Sequence, residues 1–223
     1  RKLTTNKQAN KNKKQKRKNK MSVPNTEKKI TKEQPKKKRL LPVKKNEPQT
    51  DLQDLSTLIY GPPKIGKSSF AAEYPKALFL ATEPGLRSLS TYDVEINSWK
   101  EFLAYCTEIA AGEHDFKTIV IDTVDILYKQ CSDYICKEFG IKHESDLAYG
   151  KGFSLISNEF QRAITKLGNL PYGLVFISHS KDSEIEKRTG KITKTVPRLA
   201  TGARKILIGF VDFILFFDSR VIK

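Results

Sequence analysis

Gly61, Pro62, Pro63, Lys64, Ile65, Gly66, Lys67, Ser68 and Ser69 follow the apolar run Leu55-Ser56-Thr57-Leu58-Ile59-Tyr60. Gly61, Gly66, Lys67 and Ser68 satisfy the spacing G-x-x-x-x-G-K-[ST], in which a loop turns from a buried strand into a helix and points its backbone N–H groups inward. Converging donors of this kind suit polyphosphate oxygens. Lys67 would set a positive charge against the β- and γ-phosphates of a nucleotide, and the Ser68 hydroxyl would take one position on a Mg²⁺ ion bridging them. The plain alternative is a glycine turn carrying an ordinary surface lysine. The flanks favour the phosphate site: a β-branched strand stands before the loop, and Ser69-Phe70-Ala71-Ala72 opens a helix after it.

A loop of this kind works only if a sheet holds it, and from Asp51 onward strand-length and helix-length apolar blocks alternate. Ala77-Leu78-Phe79-Leu80-Ala81 is a second strand and Val94-Glu95-Ile96 a short third. Ser98 with Glu101 three residues on predicts a capping box that opens a helix, and Gly112 closes it. Thr118-Ile119-Val120-Ile121 is continuously apolar and β-branched, as a strand buried on both faces of a parallel sheet must be. Helices are predicted over residues 125–139 and 153–167, a strand over 174–177, a polar β-hairpin over 184–195, a short helix over 203–207 and a last strand over 211–217. Alternation of this kind argues an α/β domain with a mostly parallel sheet flanked by helices. The chain stops six residues after that strand, so truncation at the C-terminus is expected.

In open α/β sheets ligands bind at the carboxyl ends of the strands, which singles out three further side chains. Asp122 closes the run F-K-T-I-V-I-D, where a carboxylate fixed on a rigid strand could hold Mg²⁺; Asp125, at the start of the next helix, is the alternative. Glu83 ends the second strand, where it could accept a proton from the attacking water or orient it. A surface turn residue before Pro84-Gly85 would look the same. His179 ends the strand after Asp122, placed to feel a γ-phosphate and relay its loss to the hairpin, or to serve as a hydrogen-bonded structural group.

Charge divides the chain. Residues 1–50 hold 19 Lys or Arg against Glu27, Glu33 and Glu47, a charge of +16 that equals the charge of the whole chain. Residues 51–223 are left with 22 basic and 22 acidic groups, so net charge gives no argument for a basic face on the folded domain. The first fifty residues lack apolar periodicity and read as a disordered Lys-rich tail, with Pro35-Lys36-Lys37-Lys38-Arg39 resembling a nuclear-localisation signal. If that tail binds nucleic acid through phosphate contacts, deleting residues 1–50 should flatten the salt dependence of DNA binding; an unchanged slope removes it from the mechanism. Arg1 leads the chain and the only methionine is Met21, so the first twenty residues could be translated upstream sequence. Cys106, Cys131 and Cys136 are odd in number and lack C-x-x-C spacing, which reads as buried free thiols in a reducing cytoplasm. No apolar run approaches the ~18 residues that span a bilayer.

Taken together, GPPKIGKSS, ATEPGL, TIVIDT and VFISHS, in that order across residues 55–217, resemble the RecA-like P-loop ATPases. The likeness is strongest to the phage-type AAA nucleotide-binding proteins that include single-strand-annealing recombinases. The resemblance implies ATP and Mg²⁺ as cofactors, Lys67 and Ser68 as phosphate and metal ligands, Asp122 as the Walker B acid and Glu83 as the catalytic glutamate. His179 stands where such proteins often carry a glutamine, a departure from the family pattern. It also implies single-stranded DNA as partner, facing the hairpin and Pro197-Arg198-Leu199, and a homo-oligomeric ring or filament. A basic residue would then be donated between subunits, with Arg198, Arg204, Lys205 and Arg220 as candidates. A small-molecule kinase or a nucleotide-gated adaptor with little turnover are the competing readings.

Overall fold

The computed structural model describes residues 41–42, 44–187 and 190–219. Of the tail expected over residues 1–50, residues 1–40 and 43, with the Pro35–Arg39 stretch, lie outside them, as does Arg220. The described residues from 47 onward form one compact unit.

Seven strands, β1 (Ser56–Gly61), β2 (Ala77–Ala81), β3 (Tyr92–Glu95), β4 (Thr118–Asp122), β5 (Gly173–Lys187), β6 (Gly190–Pro197) and β7 (Phe213–Phe216), alternate with five helices. The helices are α1 (Lys67–Ala72), α2 (Trp99–Ala111), α3 (Val124–Glu138), α4 (Lys151–Gly168) and α5 (Thr201–Phe210). Six strands run parallel in the order β3-β2-β4-β5-β1-β7, and β6 pairs antiparallel with the far half of β5. β2 and β4 are buried at every residue, as unbroken apolar runs require when both sheet faces are covered.

Period-two alternation divides these strands between two cores. Leu58, Leu80, Ile121 and Phe176 face Trp99, Phe102, Leu127, Phe160 and Leu207 of the four longer helices. Their neighbours Ile59, Phe79, Val120 and Ile177 face Ala71 and Tyr74, with Leu86 closing that side. A charge placed on β1, β2 or β4 is therefore desolvated wherever it points, except at the carboxyl rim where the strands stop. That rim is where the polar residues of the sequence motifs collect.

Several elements depart in detail from sequence expectation. The Ser98 Oγ accepts from the Glu101 N–H at 3.3 Å, but the Glu101 carboxylate returns to the Asn97 N–H at 2.8 Å, one residue earlier than a capping box demands. β5 does not end at Ile177. It leaves its parallel neighbours after His179 and continues as the first strand of the hairpin, paired from Ser180 with Pro197 to Lys187 with Gly190. This half has no core to face, so the apolar signal stops where the strand does not. α5 is ten residues long rather than five, because only Ala203 and Leu207 are buried and its outer turns carry little periodic signal. No described helix is long and apolar enough to cross a membrane.

Candidate functional site

The phosphate-loop residues connect β1 to α1. Gly61 lies against the backbone of Phe217, and a Cβ there would run into the Phe217 carbonyl oxygen, so the close approach of the chain beyond β7 requires glycine. Gly66 meets no such crowding; its φ of +96° is what excludes other residues, at about 1 kcal/mol or more for an L side chain.

Gly66 hands the chain to Lys67, whose side chain folds back over the loop that precedes it. Lys67 is only 5% exposed, and its Nζ donates to the carbonyls of Gly61 at 3.1 Å and Pro62 at 2.7 Å. Burial pushes the ammonium pKa down, and the negative charges of Asp122, Asp125 and Glu83 oppose that shift. The ammonium is thus the positive centre of a small carboxylate cluster.

Ser68 donates its hydroxyl to Asp122 Oδ2 at 2.6 Å. One strand, β5, lies between β1 and β4 in the sheet, and the helix turn after Gly66 brings the hydroxyl across that gap. Burial raises the Asp122 pKa; the Ser68 bond and the charges of Lys67 and His179 offset it, while Glu83 adds to it. A hydroxyl and a carboxylate in direct contact, beside a cation, form a hard oxygen pair of the sort Mg²⁺ prefers.

Behind this pair the ends of β2 and β4 are laced together. The Thr82 N–H donates to the Asp122 carbonyl at 2.7 Å, and Thr82 Oγ1 accepts from the Thr123 N–H and donates to the Thr123 carbonyl, both at 2.9 Å. The Asp122–Thr123 peptide is cis. The next residue, Glu83, reaches His179: its Oε1 lies 3.0 Å from Nε2, and because a carboxylate only accepts, the hydrogen sits on Nε2. His179 Nδ1 is buried with no partner among the described residues.

The structure therefore brings Lys67, Ser68 and Asp122 together at one point of the rim and joins Glu83 to His179 beside them. Asp125 turns its carboxylate to β5 instead. Its Oδ1 accepts from the Ser178 hydroxyl at 2.6 Å and its Oδ2 from the His179 N–H at 2.8 Å, so both oxygens are occupied on β5 rather than turned to Ser68. Burial raises the Asp125 pKa against those two bonds and the charges of His179 and Arg198. Sequence reasoning had no signal for this contact, since a carboxylate in the first turn of a helix is ordinary. Of the candidate basic residues, Arg198 is exposed and donates its N–H to the His179 carbonyl at 2.8 Å, whereas Arg204 and Lys205 lie on α5.

A phosphate loop on a buried strand, an acid at the end of a second strand, and a mostly parallel sheet with helices on its faces make this a P-loop NTPase α/β fold. Residues 53–223 match the family described as an AAA domain, and the chain belongs to that family. Over 171 residues it is 26% identical to the SPbeta prophage-derived uncharacterized protein YorG of Bacillus subtilis (strain 168), a match that covers 73% of this chain and 50% of that protein. The chain spans about half the length of this curated relative.

Proposed function

We propose that the protein is a RecA-like ATPase that hydrolyses ATP with Mg²⁺ and acts on single-stranded DNA in phage recombination or replication. The observation that carries the reading is the contact of Ser68 with Asp122, next to the buried Lys67 and in reach of the Glu83–His179 pair. In this reading the backbone N–H groups of residues 61–69 hold the phosphates. Lys67 gives up its loop carbonyls for phosphate oxygens, which are stronger, charged acceptors. Ser68 and Asp122 would hold Mg²⁺, which when bound neutralises charge on the β- and γ-phosphates. Glu83, at the rim and one third exposed, orients the attacking water or takes its proton. His179 fixes the Glu83 carboxylate and links it to the strand that continues into the hairpin.

The DNA part rests on that hairpin and on the prophage origin stated for the relative. Residues 180–198 carry six basic and three acidic side chains, the reverse of the neutral balance over residues 51–223, on a ribbon with no core of its own. Assembly into a ring or filament, with Arg198 as the donated cation, fits its exposed place beside the site. ATP turnover with and without single-stranded DNA tests the reading, and stimulation by DNA is the expected result. Phosphoryl transfer to a nucleoside or metabolite would replace it with a kinase, and tight ATP binding without turnover would replace it with a nucleotide-gated adaptor.

A further inference from the structure

Asp125 is a partly buried carboxylate that the proposed chemistry does not use, yet both its oxygens are engaged, one of them in one of the shortest side-chain hydrogen bonds among the described residues. Its surroundings explain why. β4 ends at Asp122, opposite Ile177 of β5, so β4 offers no backbone acceptor opposite His179. The chain turns there into α3, and the Asp125 side chain supplies the acceptor that the sheet lacks. One oxygen takes the His179 N–H and the other the hydroxyl of Ser178, which is fully buried. The carboxylate thereby clamps the Ser178–His179 peptide at the point where β5 changes partners, from β1 on the sheet to β6 in the hairpin.

Three links leave that clamped peptide. The His179 ring reaches Glu83 at 3.0 Å, the His179 carbonyl accepts from the Arg198 N–H at 2.8 Å, and Ser180 begins the pairing with Pro197. The base of the hairpin and the proposed catalytic carboxylate are therefore joined through a single residue whose backbone Asp125 holds.

We infer that Asp125 is a positioning residue: by clamping the Ser178–His179 peptide it sets the His179 ring against Glu83 and ties that contact to the base of the β5–β6 hairpin. The inference rests on the role of Glu83 proposed above, and it adds the element through which a polymer on the hairpin reaches the ATP site. No contact of Asp125 with nucleotide is required.

Asp125→Ala, Asp125→Asn, Ser178→Ala and Glu83→Gln, made in the full chain, test this through ATP kcat and KM with and without single-stranded DNA. NMR of the His179 ring nitrogens provides a readout independent of turnover. Asp125→Ala is expected to shift the His179 signals, to lower DNA-stimulated kcat by about 100-fold, as a misplacement near 1 Å does, and to leave KM for ATP within a few-fold. Asp125→Asn should recover most of the loss: its amide oxygen can accept from the His179 N–H while the Ser178 hydroxyl rotates to accept from its NH₂. Unchanged His179 signals in the alanine variant overturn the inference, as does an equal fall of kcat, ATP affinity and melting temperature in both Asp125 variants. If Asp125→Ala does not fold, Ser178→Ala removes one of the two bonds and carries the same decision through the same signals. If Glu83→Gln retains turnover, the proposed role of Glu83 fails, while the His179 signals still decide whether Asp125 sets that ring.

Discussion

Lys67→Ala is expected to abolish ATP binding and turnover together. The ammonium is the cation at the centre of Asp122, Asp125 and Glu83, and those carboxylates hold its charge in place against the burial that would remove it. An incoming triphosphate adds several negative charges to a rim already lined with three. Without Lys67 the loop is left with its neutral N–H groups and the solvent-exposed Lys64 to compensate them. Hydrogen bonds to charged groups contribute about 1.5–3 kcal/mol each, so loss of even two weakens binding by at least about 100-fold. Titration of purified variant with ATP measures this directly. The fold should survive: the shortened side chain opens the loop to water, which can reach the Gly61 and Pro62 carbonyls that lose the buried ammonium as donor, and the melting temperature should fall by only a few degrees. An ATP affinity equal to that of the wild type would end the phosphate-site reading.

Glu83→Gln should separate binding from chemistry. Glutamine keeps the shape and the amide oxygen that can accept from His179 Nε2, so the contact at the end of β5 is retained. What is lost is the base. General base catalysis contributes about 100- to 10,000-fold, and kcat should fall by that much while Kd for ATP changes by less than a few-fold. A variant that turns over ATP at close to the wild-type rate leaves Glu83 as a turn residue with a histidine partner, and the water would need another orienting group.

The contrast between these two residues reflects how each could be read. Lys67 was legible because all its determinants are local: the glycine with φ of +96°, the strand before it and the helix after it lie within about a dozen residues. The two-faced burial of β2 and β4 was legible for a similar reason, since the continuous runs Ala77–Ala81 and Thr118–Ile121 leave no side for water. Asp122 followed from its position at the end of such a run. Glu83 and His179 were each picked out as strand-end residues, but their bond to one another spans 96 positions and has no local trace. Asp125 stays open as the alternative to Asp122 in the sequence because its helix-start position looks the same whichever way its carboxylate points. The hairpin was seen, but not that its first strand is the second half of β5, because a polar ribbon outside the core has the same alternation whether or not it continues a buried strand.

Sequence alone thus determined the strand-and-helix order, the place of the glycine loop between strand and helix, and the rim on which polar residues gather. Those are properties of short stretches, governed by backbone geometry and by the cost of leaving apolar side chains in water. Only the tertiary structure decided which carboxylate meets which donor. That choice depends on strand order: β5 inserts between β1 and β4, sets His179 beside Gly61, and thereby gives Asp125 a backbone to hold and Glu83 a ring to lean on.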